Sequence, residues 1–159
     1  MSDGVQVIFV CWGNICRSPM AERVAEGWAK REGLDGVTFS SRGVSSEETG
    51  NPIDSRARAV LSEHGYRTDG HRARRITASE IADADLVIGL EPLHVQRMRS
   101  LAPDADNLSL LTDFDPDAPA GSGVPDPWYG DKDDFYDTLA SVEAAMPGVM
   151  SRIRSGRAS

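Results

Sequence analysis

Cys11 and Arg17 stand six positions apart in the segment Cys11-Trp12-Gly13-Asn14-Ile15-Cys16-Arg17-Ser18. A thiol and a guanidinium at this spacing can act on one bound anion if the chain between them curls around it. Successive backbone N–H groups in such a loop converge into an anion nest. Arg17 adds a planar fork matched to two phosphoryl oxygens, and Gly13 permits backbone that a side chain would resist. Amides, guanidinium and a following helix N-terminus each favour a thiolate over a thiol at Cys11. Ser18 is placed to donate a hydrogen bond to that thiolate. A thiolate beneath a bound phosphoryl group is set for in-line attack, giving a phosphocysteine.

Attack of this kind needs a proton for a poor leaving group, and a base for the hydrolytic second step. Asp126, in Asp126-Pro127-Trp128-Tyr129-Gly130, carries a carboxyl that can serve both. Pro127 restricts Asp126 to extended geometry, Gly130 eases a turn, and Trp128 and Tyr129 can wall a slot for a flat ring. Asp-Pro alone is a common turn, and the stretch from Asp113 to Asp137 holds eight Asp, most of them ordinary solvated charge. Asp126 stands out because aromatics follow it and because Cys11 needs a partner.

These groups must be held by regular elements. Residues 5–10 form an apolar run that predicts a buried strand ending at Cys11. A helix is expected from Ser18, with Pro19 at its first position and Met20, Val24 and Trp28 inward, closing at Gly33. Residues 37–41 predict a second strand. Asp54 caps a helix bearing Ala57, Val60 and Leu61 and ending at Gly65, and Thr77-Ala78-Ser79-Glu80 is a capping box. Residues 84–90 predict a third strand, and Glu91-Pro92 opens a helix with Leu93, Met98 and Leu101 on its apolar face. Residues 107–111 predict a last strand. Residues 112–131 read as a long loop, followed by a helix from Asp133 that Pro147-Gly148 should kink or interrupt. The tail after Ile153 is expected to fray. Alternation of strands and helices indicates an α/β domain with a central parallel sheet. Ligands in such sheets lie at the carboxyl ends of the strands, which is where residues 11–18 fall.

Composition bounds the rest. The chain has 159 residues, 40% hydrophobic, with a net charge of −8. It is read as one domain over residues 1–159, with a core at 5–153. The charge argues against nucleic-acid or anionic-membrane binding, so positive potential must be built locally. With no basic-then-apolar leader and no run long enough to span a bilayer, the expectation is a cytoplasmic protein without membrane insertion. Two cysteines make no disulfide framework, and His64, His71 and His94 are too scattered for a metal site.

Taken together, Val10-Cys11-Trp12-Gly13-Asn14-Ile15-Cys16-Arg17-Ser18-Pro19 and Asp126-Pro127-Trp128-Tyr129-Gly130 resemble the two signatures of the low-molecular-weight protein-tyrosine phosphatases. The similarity runs from Val5 to about Met150. It implies a four-stranded parallel sheet in flavodoxin-like order, flanked by helices on both faces, with the phosphate loop after the first strand. It implies Cys11 as nucleophile, Arg17 as phosphate ligand and Asp126 as general acid, then base, with phosphate or a similar oxyanion bound by residues 12–18. No metal or cofactor is implied. Asn14, Ser18, Ser41 and His71 match positions that support the loop, and Asp54 one that braces the neighbouring helix start. Trp12, Trp128 and Tyr129 match ring contacts. The implied partner is a phosphotyrosine protein, a tyrosine kinase among the candidates, acted on by a monomer. Cys16 is either a small hydrophobe behind the loop or, as the resemblance suggests, a partner that bonds Cys11 under peroxide.

Three positions depart from the family pattern: Arg42 replaces a small residue, Glu47 and Glu48 stand where many members place an aromatic wall, and Glu91 replaces an Asp. The acidic pair suggests a preference for basic residues beside the phosphotyrosine. Three other readings compete. An arsenate reductase needs a further resolving cysteine, yet no cysteine follows Cys16. Arginine phosphatases of this type carry Thr at the position of Ile15. A non-catalytic phosphotyrosine-binding module has no support from a chain that retains Cys11, Arg17 and Asp126.

Overall fold

The computed structural model describes residues 4–158; the ends of the expected domain, residues 1–3 and 159, lie outside them. Four strands form one all-parallel sheet in the order β2-β1-β3-β4: β1 (Val5–Cys11), β2 (Val37–Gly43), β3 (Leu86–Gly89) and β4 (Leu108–Leu110). The helices are α1 (Arg17–Arg31), α2 (Ser55–Glu63), α3 (Ala78–Asp83), α4 (Pro92–Leu101) and α5 (Lys132–Ala158). This is the expected flavodoxin-like order.

Side-chain alternation along β1 explains the layering. Val7, Phe9 and Cys11 point into a core shared with α1, α2 and α5, whereas Ile8 and Val10 join Ile76, Ile81 and Met98 beside α3 and α4. A strand buried on both faces has no polar side, which is why residues 5–10 read as a continuous apolar run. The chain leaves β1 toward β2 and later returns to β3 on the other side. The crevice this creates, at the carboxyl ends of β1 and β3, lies directly above Cys11.

Several boundaries depart from the sequence reading. α1 begins at Arg17, one residue early, so Pro19 sits within its first turn, where a missing N–H costs no bond. Residues 111–114 leave the last strand as a 3-10 turn. In α4 the expected apolar face holds only at Met98, which is buried: Leu93 and Leu101 are exposed, and His94 is fully buried. The long terminal helix is also uninterrupted. α5 runs through Pro147 and continues past Ile153 to Ala158. An interior proline costs about 3 kcal/mol, but Met146, Val149, Met150 and Ile153 are all buried beyond the break point. Burial at roughly 1.5–3 kcal/mol per side chain outweighs that penalty. Gly148 helps, because a Cβ there would strike the backbone carbonyl of Phe114.

Candidate active site

The loop from Cys11 to Ser18 is held by its carbonyl groups. Val44 N–H donates to Cys11 C=O at 2.9 Å and Ser45 N–H to Trp12 C=O at 3.0 Å. Asp54 N–H donates to Ile15 C=O at 2.8 Å, Met20 N–H to Cys16 C=O at 3.1 Å, and His71 Nε2–H to Asn14 C=O at 2.6 Å. The carbonyls are thus satisfied from outside the loop. Among the described residues no amide of residues 13–16 donates to another protein group. Those N–H groups and the uncapped first turn of α1 are left for an anion.

The residue with left-handed backbone is Asn14 (φ 62), not Gly13. Asparagine tolerates that region when its side chain finds local bonds. Here Asn14 Oδ1 accepts from Arg74 N–H at 3.0 Å and Nδ2 donates to Ser18 Oγ at 2.9 Å. Ser18 Oγ lies 3.0 Å from Cys11 Sγ and 3.3 Å from the Arg42 carbonyl. The Ser18 hydroxyl is therefore shared between the Cys11 sulfur and the Arg42 carbonyl, with Asn14 donating to it from behind. At Gly13 a Cβ would come within 3.3 Å of Glu48 Cγ.

Ser41 is the expected support residue that the fold does not bring to the loop. Its hydroxyl donates to Glu22 Oε1 at 2.7 Å, because its side chain faces α1, and β2 reaches Ser18 through the Arg42 carbonyl. Burial pushes the Glu22 carboxyl upward, against the bond from Ser41 and the charge of Arg23. His71 is held below the usual imidazole range by burial, partly offset by its bond to Asn14 C=O. Cys11 and Cys16 are both buried free thiols, and burial, then the charge of Asp54, pushes Cys16 far above the ordinary thiol range.

Arg17 is 2% exposed and tightly held. Nη1 donates to Val124 C=O at 2.9 Å, and Nη2 lies 3.1 Å from Glu91 Oε1 and 3.5 Å from Asp126 Oδ2. With Nη1 on Val124 and Nη2 among Glu91, His94 and Asp126, no protein group of the described residues accepts from Nε, which is left for an incoming oxyanion. Glu91 also meets His94, whose Nε2 is 3.2 Å from Oε1. Burial and then the Arg17 charge drop His94 to about 3, so the imidazole is neutral, with Nε2 3.4 Å from Arg17 Nη2. The Glu91–His94 pair and the Val124 carbonyl escaped sequence reasoning. A Glu three residues before a His at a helix start is the one signal that could have found the pair.

Asp126 reaches the same place from the long loop. Its Oδ1 accepts from Trp128 N–H at 3.0 Å, which leaves Oδ2 facing Arg17 and the cavity. A cavity of about 220 Å³ is lined by Cys11, Trp12, Gly13, Ile15, Cys16, Arg17, Glu47, Glu48, Asp126, Trp128 and Tyr129. Trp12 donates from Nε1 to Glu47 Oε2 at 3.3 Å, and the Arg97 guanidinium lies 5.2 Å over its ring. The volume suits a phenyl ring above a phosphoryl group.

Fold and site together define an α/β protein with an anion nest, a buried arginine and a thiol at the nest's floor. The family model for low molecular weight phosphotyrosine protein phosphatase matches residues 6–158. A low molecular weight protein-tyrosine phosphatase A of Mycobacterium tuberculosis is 42% identical over 151 residues, covering 94% of this chain and 91% of its own. A low molecular weight protein-tyrosine-phosphatase of Streptomyces coelicolor is 42% identical over 154 residues, covering 94% and 93%. Among solved structures, YfkJ from Bacillus subtilis superposes with a TM-score of 0.90 at 27% identity, over 98% of each chain. The YwlE arginine phosphatase superposes at 0.86 with 28% identity, over 94% and 96%. The chain belongs to the low-molecular-weight phosphotyrosine protein phosphatase family, whose members are phosphoric monoester hydrolases.

Proposed function

We propose that this chain hydrolyses phosphotyrosine in proteins, with Cys11 as nucleophile and Asp126 as general acid and then base. The observation that carries it is one cavity in which the Cys11 thiol, the amides of its loop, the Arg17 fork and the Asp126 carboxyl converge between Trp12 and Trp128. Cys11 Sγ attacks phosphorus and the aryl P–O bond breaks as Asp126 protonates the leaving oxygen. Arg17 and the loop amides hold the equatorial oxygens while charge redistributes. Asp126, now ionised, takes a proton from a water that attacks phosphorus, and the S–P bond breaks as the new P–O bond forms. Inorganic phosphate leaves and the thiolate returns, eased by the Ser18 hydroxyl.

The proposal extends to a monomer working in the cytoplasm without cofactor on phosphotyrosine proteins, tyrosine kinases among them. A second reading, arginine dephosphorylation, is raised by the likeness to YwlE. Ile15 disfavours it: a buried apolar side chain lining the cavity with two indoles suits an aryl ring better than a guanidino group. Steady-state hydrolysis of an aryl phosphate should vanish in Cys11→Ser and fall about 100-fold or more in Asp126→Ala. Turnover surviving in Cys11→Ser would overturn the mechanism, and faster cleavage of phosphoarginine than phosphotyrosine peptides would overturn the substrate assignment.

A further inference from the structure

The segment that carries Asp126 has little burial of its own. Pro125, Asp126, Trp128 and Tyr129 are exposed, Tyr129 almost wholly, and Pro127 alone of residues 125–129 is buried, so packing does little to aim the carboxyl. Each end is instead tied down by an arginine. On the near side Val124 C=O accepts from Arg17, and Val124 N–H donates to Leu90 C=O. On the far side Arg56 Nη1 donates to Trp128 C=O at 3.2 Å and to Gly130 C=O at 2.9 Å. The same guanidinium lies 5.5 Å over the Trp128 ring and 4.6 Å over that of Phe135.

Arg56 is itself anchored. Its Nε and Nη2 bond both oxygens of Asp54 at 3.1 and 3.0 Å, and Asp54 N–H donates to Ile15 C=O in the phosphate loop at 2.8 Å. A continuous chain of bonds thus runs from the nest through Asp54 and Arg56 to the backbone around the acid. Two carbonyls on one donor nitrogen and two carboxylate oxygens on the other side of a planar fork leave little rotational freedom.

Building on the phosphotyrosine phosphatase reading above, we propose that Arg56 is a positioning residue for the general acid, holding the Asp126 turn in register with the leaving oxygen above Cys11. It touches neither the cavity's anion site nor the nucleophile. Its effect is on proton delivery, because general acid catalysis depends on hydrogen-bond placement that a small displacement forfeits.

The test uses kcat/KM across aryl phosphates of graded leaving-group pKa, with Arg56→Gln, Arg56→Lys, Asp126→Ala and the double variant Arg56→Gln/Asp126→Ala. Poor leaving groups, such as phenol with a pKa of about 10, need the proton most. Arg56→Gln should lower their rate about tenfold and change good leaving groups by less than about threefold. Arg56→Lys, which keeps charge but not the fork, should fall between. Added to Asp126→Ala, Arg56→Gln should steepen the series no further. Affinity for inorganic phosphate should be unchanged, since the nest is intact. A uniform loss along the series, or a loss of the same size without Asp126, would overturn the proposal. A flat series in Asp126→Ala alone would overturn the acid assignment beneath it, and the proposal with it.

Discussion

His94 shows how one side chain's surroundings set its chemistry. It is fully buried, faces Glu91 and Arg17, and has an Nδ1 with no partner. Its drop from 6.5 to about 3 means that the unfolded chain binds a proton which the folded protein refuses. The stabilising contribution is therefore complete above about pH 6.5 and is lost progressively as pH falls toward about 3. The slope is worth on the order of a few kcal/mol over that window. Urea midpoints measured from pH 7 to 4 should fall in wild type, and His94→Gln should flatten that limb. An unchanged slope in the variant would place the acid sensitivity elsewhere, with the carboxylates.

At the scale of elements, α5 and the phosphate loop both depend on close approaches that no periodicity reveals. A Cβ at position 148 would collide with the Phe114 carbonyl, so Gly148→Ala must push α5 away from the 3-10 turn. The expected cost is about 1–3 kcal/mol, read as a lower melting temperature with kcat/KM retained. A variant as stable as wild type would show that the turn shifts freely. Gly43 is the counterpart beside the loop, where a Cβ would meet the Trp12 carbonyl at 2.7 Å. Pro147 was legible as a breaker because its local chemistry is plain. It fails to break α5 because the buried face continues across it.

Across the whole molecule, charge is arranged against its own average. The net charge is −8, yet the site presents a guanidinium and free amides at the floor of an acidic mouth. Glu47 is bonded by Trp12 and Glu48 by Asn51, but neither lies within ion-pair distance of a cation among the described residues. Two uncompensated carboxylates oppose a dianion unless the substrate brings positive charge with it. Phosphopeptides with Lys beside the phosphotyrosine should exceed those with Glu by roughly fivefold in kcat/KM at low salt, since one such contact is worth about 1 kcal/mol in water. The margin should shrink at high salt. Glu47→Gln with Glu48→Gln should erase it, and equal rates in wild type would refute it.

By itself the sequence determined the strands, their α/β alternation, and the two segments that carry Cys11, Arg17 and Asp126. These are local properties, written in apolar runs, caps and spacing. Only the tertiary structure decided which groups would meet across long separations. It sent Ser41 to Glu22, buried His94 beside Glu91, and set Arg56 between Asp54 and the Trp128 backbone. Such partners lie 19 to 72 residues apart, or turn on which face of α4 is inward. Backbone carbonyls carry much of the support, at Arg42, Val124 and Trp128. Every residue has one, so no side-chain pattern marks the few that matter.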